Sequence, residues 1–165
     1  METDNFRNFD ESCNLQSNEF NQGAFCKGAS GRFYFGGING LNSFNPNKID
    51  LNPYEPAVAI SAFSAPGDLI KPTGEADNST IELNYDNNNI FFEFVAFNYV
   101  NSHLNQYRYI LEGLGQDWIE VGGKRSASFT NLSPGNYIFK VQAANNDGVW
   151  NTKGKQVRVV VLSPF

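Results

Sequence analysis

A chain of 165 residues with 12 Lys and Arg against 17 Asp and Glu carries a formal charge of -5 and has a pI near 4.8. That balance excludes nucleic acid as a partner, because neutralising phosphates takes a basic surface this composition cannot assemble. The length suits one domain plus a fragment, or two small domains, and the 15 Phe and 15 Gly with sparse charge favour short strands and tight turns, an all-β chain.

The opening METDNFRNFDES has neither the basic nor the apolar region of a signal peptide, and no run approaches the roughly twenty apolar residues of a membrane helix. The expectation is a chain that is soluble as given. Cys13 and Cys26 fall too near one end to frame the whole protein and are expected as two packed thiols, with a bridge between them as the alternative.

Three strands are expected before residue 50, at Ala24 to Lys27, Arg32 to Gly37 and Leu41 to Asn45, separated by the turns GASG and GGING. A propeller blade takes about 40 to 45 residues, so this segment has the size and punctuation of one blade. The two prolines of LNPYEP mark a boundary, dividing residues 1–54 from 55–165. Beyond it, strands are expected at Val58 to Ser64, Ser79 to Leu83 and Ile90 to Asn98, with Asp86 to Asn89 as the turn between the last two. Ile90, Phe92, Phe94 and Ala96 share one face of the third, a strong core signal. Further strands follow at Tyr107 to Glu112, Trp118 to Val121, Ala127 to Asn131, Tyr137 to Asn145 and Gln156 to Leu162. About eight strands over roughly 110 residues is the spacing of an immunoglobulin-like or fibronectin type III β-sandwich.

The most informative stretch is NLSPGNYIFKVQAANNDGVW, residues 131–150. Leu132 plugs the core, Pro134 and Gly135 turn the chain, and Tyr137, Phe139, Val141 and Ala143 line one face of the next strand, with Lys140 and Gln142 on the other. A tyrosine just after such a corner sends its hydroxyl back to an upstream main-chain group. Tyr107, Tyr109 and Leu111 likewise share a face, so both rings are expected to pack inward.

Chemistry is poorly represented. His103 is the only histidine and stands in a loop without Cys or carboxylate partners, so no zinc site can be built on it. GGINGLNSF lacks the strand, glycine loop and helix order of a phosphate site. Asn145, Asn146, Asp147 and Gly148 resemble part of a calcium loop but lack its downstream glutamate, and read as a hairpin turn. Trp118 and Trp150 could stack sugars if open, but are expected as core or edge plugs. No catalytic residue, metal ligand or cofactor-binding residue is assigned.

These motifs carry a resemblance. LQSNEFNQGAF, GRFYFGGINGLNSFNP and KIDLNPYEPAVAISAF, followed by FEFVAFNYVNSHLNQYRYILEGLGQDWIEVGG and SFTNLSPGNYIFKVQAANNDGVWN, resemble the extracytoplasmic sensor region of propeller-containing hybrid two-component regulators: the last propeller repeat and then the three-tyrosine (Y_Y_Y) domain. Tyr107, Tyr109 and Tyr137 match the named tyrosines, and Gly113, Trp118, Leu132, Pro134, Gly135 and Trp150 are further signature positions with structural roles. The resemblance implies a periplasmic, non-catalytic part of a histidine kinase. It further implies propeller blades upstream, a membrane helix downstream, a homodimer that relays the signal, and a carbohydrate ligand for the parent sensor. Residues 1–50 are expected to expose apolar surface and to drive self-association. A carbohydrate-binding sandwich module and a fibronectin-like spacer are the alternatives.

Overall fold

Alternating apolar runs and glycine-bounded turns become strands throughout the computed structural model, which describes residues 9–65, 68–70, 80–86 and 88–164. The chain divides into two compact units, Met1–Leu51 and Asn52–Phe165.

The first unit is a three-stranded antiparallel sheet of β1 (Phe25–Lys27), β2 (Phe33–Gly37) and β3 (Gly40–Phe44), in that order. Register places Phe25 opposite Phe35 and Phe33 opposite Phe44, so four phenylalanines share one face. Their rings stack, Phe35 on Phe44 at 5.8 Å and Phe33 on Phe44 at 6.1 Å. The chain before β1 is laced to the sheet through Gln16, whose side chain takes the Asn39 amide and donates to the Glu19 carbonyl. No disulfide joins Cys13 and Cys26; Cys13 is half-buried, whereas Cys26 is exposed on the edge strand β1, contrary to the packed thiol expected.

The second unit contains β4 (Ala57–Ala65), β5 (Asp68–Ile70), β6 (Thr80–Leu83), β7 (Ile90–Phe97), β8 (Gln106–Glu112), β9 (Ile119–Gly122), β10 (Ser126–Phe129), β11 (Gly135–Ala144) and β12 (Trp150–Val161). They form two facing sheets, β10-β7-β4-β5 and β6-β12-β11-β8-β9. The core between them follows the expected alternation: Ile90, Phe92, Phe94 and Ala96 of β7 are buried, as are Tyr137, Phe139, Val141 and Ala143 of β11. Phe92 and Phe139 stack across the sheets with centroids 4.0 Å apart. Burying such rings removes roughly 150 to 250 Å² each from water, on the order of several kcal/mol apiece, which makes this layer the main source of stability.

Three expectations need correction. β6 and β7 are not a hairpin: β6 pairs parallel with β12 in the opposite sheet, Ile81 beside Val159, so the chain crosses between sheets after Leu83. Of the turn expected there, Asn87 lies outside the described residues. β12 begins at Trp150, six residues before the expected Gln156, because an irregular stretch carries the strand past the polar residues 152–155. Finally, the outer face of β11 is not simply wet. Gln142 and Ala144 are buried there.

Candidate functional site

Each of the three signature tyrosines is placed differently. Tyr137 opens β11 directly after the corner and donates its hydroxyl hydrogen to the Ser133 carbonyl at 2.8 Å, the upstream main-chain bond expected of it. Leu132 is buried, and its backbone is held by Asn88, whose carbonyl accepts from the Leu132 amide and whose side chain donates to the Leu132 carbonyl. Gly113 permits this corner: its φ is +97°, and a Cβ there would stand 2.8 Å from the Asn136 carbonyl oxygen and 3.0 Å from the Tyr137 ring.

Tyr107 performs a second task. β10 pairs with β7 only from Ile90 to Glu93, with the Arg125 carbonyl adding one bond to Phe94. Two residues on, the backbone of Ala96 faces the same side with no strand beside it. There the Tyr107 hydroxyl accepts from the Ala96 amide at 3.1 Å and the Asn105 side chain donates to the Ala96 carbonyl at 3.4 Å. The two side chains replace the missing strand at a buried site, where an unpaired backbone group is costly. Tyr109 acts through its ring alone, edge-on to Phe129 at 5.8 Å and tilted against Phe139 at 5.9 Å.

A polar cluster ties the incoming chain to the β11–β12 turn. Asn145 is 1% exposed. Its amide nitrogen donates to the carbonyls of Asn52 and Tyr54, both at 2.8 Å, while its oxygen accepts from the amides of Asp147 and Val149. The Asn52 amide in turn donates to the Asp147 carboxylate at 2.6 Å, and Asn151 donates to the Pro56 carbonyl at 2.9 Å. Thus the segment NNDG forms the turn expected of it, and Asn145 adds a role that turn chemistry alone does not reveal.

On the outer face of the five-stranded sheet, Arg108 of β8 lies over two indoles, 4.4 Å from the Trp150 centroid and 5.2 Å from that of Trp118. Its Nε donates to Gln142 Oε1 at 2.9 Å, and the Gln142 amide donates to the Thr152 carbonyl. Thr152 belongs to the irregular stretch of β12, where Gly154 has φ +56° and its amide is taken by the Asn151 side chain. The tryptophans are therefore not core plugs; they share one guanidinium at the surface. Strand parity places Arg108 and Gln142 side by side, since the two are paired in register, and that was the available signal for this cluster.

His103 is exposed in a short 3-10 turn. Among the described residues, no three His, Cys, Asp or Glu side chains converge as metal ligands. The first unit holds an open apolar groove of about 590 Å³ lined by Phe9, Leu15, Phe20, Phe35, Phe44 and Ile49.

Comparison with known proteins matches this framework. Residues 98–162 fit the Y_Y_Y domain family. A protein named histidine kinase P4 of Formosa agariphila is 33% identical over 169 residues, covering 98% of this chain and 12% of that protein. The extracellular domain described as that of the hybrid two component system BT3049 from B. thetaiotaomicron superposes with a TM-score of 0.77 at 30% identity, over 94% of this chain and 22% of that one. The extracellular domain of BT4673 from the same organism, 24% identical with a TM-score of 0.58 over 86% of this chain and 20% of that one, shares the fold. The chain thus spans about an eighth of the curated relative and about a fifth of the solved domains. Its second unit matches the Y_Y_Y domain family over residues 98–162, and nearly the whole chain is similar to a part of the extracellular domain of a two-component system.

Proposed function

We propose that this chain is the signal-coupling part of a transmembrane two-component sensor with histidine kinase output. In this reading the first unit is the last blade of a propeller, and the sandwich relays ligand sensing by that propeller to a membrane helix through rearrangement of a homodimer. The chain itself performs no catalysis. The carrying observation is the path of the backbone. Asn145 and Asn151 fasten the incoming residues 52–56 to the very start of β12, and β12 then runs twelve residues to the last strand position of the unit. At about 3.3 Å per residue that is a rod of up to roughly 40 Å. Paired with β11 along most of its length and flanked by β6 over Arg158 to Val161, it can pass on a displacement as a discrete shift rather than a gradual flexing.

The first unit supports the blade assignment. Its aromatic face with the exposed Phe25, and the exposed Leu41 on the opposite face, are the surfaces that neighbouring blades would cover. The test is made in the full-length receptor, with spin labels on the exposed Glu82 of each protomer and distances measured with and without ligand. A changed separation is expected. An unchanged one, with ligand bound and output switched, overturns the relay.

A carbohydrate-binding module of the platform type needs open indole faces. Arg108 lies over one face of each tryptophan, which speaks against neutral sugars stacking there.

A further inference from the structure

Trp118 and Trp150 are the two tryptophans of the chain, and one guanidinium lies over both. Its Nε is committed to Gln142, and Gln142 is itself fixed by the Thr152 carbonyl. The end of the guanidinium bearing Nη1 and Nη2 has no acceptor among the described residues. Glu120, the cross-strand neighbour of Arg108, is exposed and forms no ion pair with it. Indole contact leaves the N–H edge of an arginine unspent, and a planar fork whose stem is already fixed loses little freedom on engaging a carboxylate with two parallel hydrogen bonds.

We propose that this edge is a binding site for the carboxylate of a uronate, with the sugar ring lying against the exposed part of Trp118. Trp118 is 36% exposed and stands beside the fork. A uronate offers both complements at once, an apolar ring face for the indole and a carboxylate projecting from the ring edge. A neutral sugar leaves the fork unanswered, whereas an acidic peptide answers the fork but has no flat apolar face for the indole. The site lies on the sandwich itself and does not depend on the coupling role or on a ligand of the propeller.

The test uses the 165-residue chain, following tryptophan emission and the two indole N–H resonances during titration with tetragalacturonate, its methyl ester and a tetraglutamate peptide. A saturable response to the acid is expected, with the ester and the peptide each at least about tenfold weaker, as loss of a charge-assisted bidentate contact implies. Arg108→Met keeps the apolar stem and should abolish the response without lowering the melting temperature by more than a few degrees. Glu120→Gln removes a negative charge beside the site that would repel the ligand carboxylate and should tighten binding about two- to threefold. No indole response to the acid, an equal response to the ester or to the peptide, or undiminished binding by a folded Arg108→Met variant overturns the proposal. Should that variant fail to fold, the comparison of acid with ester decides alone.

Discussion

The Tyr107 hydroxyl accepts the amide hydrogen of Ala96 at 3.1 Å, so that a side chain from the five-stranded sheet completes the backbone of the four-stranded one. The Tyr137 hydroxyl instead acts within its own chain corner, four residues back. Tyr109 sits between them on the same core with only ring contacts. Three tyrosines of one signature thus hold the sandwich in three ways: between sheets, around a corner, and within the aromatic layer.

Removing each hydroxyl should therefore cost different amounts. Tyr107→Phe strands a buried amide and is expected to lose about 1 to 3 kcal/mol, Tyr137→Phe about 1 kcal/mol, and Tyr109→Phe less than either. Truncating Tyr137 to Ala should cost about 3 to 5 kcal/mol, because ring burial outweighs one hydrogen bond. Urea denaturation of the four variants checks the order. Equal losses for Tyr137→Phe and Tyr137→Ala would contradict the corner.

Two glycines should resist substitution for reasons that a third lacks. Gly113 and Gly154 combine positive φ with a crowded Cβ position, 2.8 Å from the Asn136 carbonyl oxygen in the first and hard against the Val141 carbonyl oxygen in the second. Gly148 has φ +80° but open space around it. Gly148→Ala is expected to cost about 1 kcal/mol of backbone strain alone, and Gly113→Ala and Gly154→Ala about 3 kcal/mol or more, since the backbone must move as well. Thermal melts of the three variants rank them.

The core was readable because it depends on parity. Ile90 to Ala96 and Tyr137 to Ala143 alternate so regularly that their buried faces follow from the period of a strand. The parallel pairing of β6 with β12 was not readable, since Thr80 to Leu83 alternates equally well in either sheet and the choice rests on long-range packing. The start of β12 was hidden by Thr152 to Lys155, where a polar, glycine-containing stretch looks like a loop but is an irregularity inside a strand. Asn145 and Arg108 escaped for a similar reason. Each looks like an ordinary turn or surface residue until the partner carbonyls and indoles, far away in sequence, are brought beside it.

The exposed aromatic face of the first unit should make the chain self-associate when no neighbouring blade covers it. Phe25 is 69% exposed and Phe44 39%. Light scattering of the 165-residue chain is expected to give a species larger than a monomer, and removal of residues 1–50 to reduce it. A monomer in both forms would show that this face needs no cover.

Asn145 is the residue on which incoming chain and last strand both depend. Its side chain satisfies two carbonyls and two amides from inside the protein, and Asn145→Ala leaves all four short of a partner. Each group so stranded costs about 1 to 3 kcal/mol, partly recovered by water, so a net loss of about 3 kcal/mol or more is expected in urea melts. The same change at Asn39, an exposed turn residue, should stay within about 0.5 kcal/mol. In the full-length receptor the two effects separate further. If residues 52–56 drive β12 through this side chain, a stabilised background carrying Asn145→Ala should still bind ligand yet give a weakened ligand-dependent output. Output that remains intact in that background would mean that displacement enters β12 by another route.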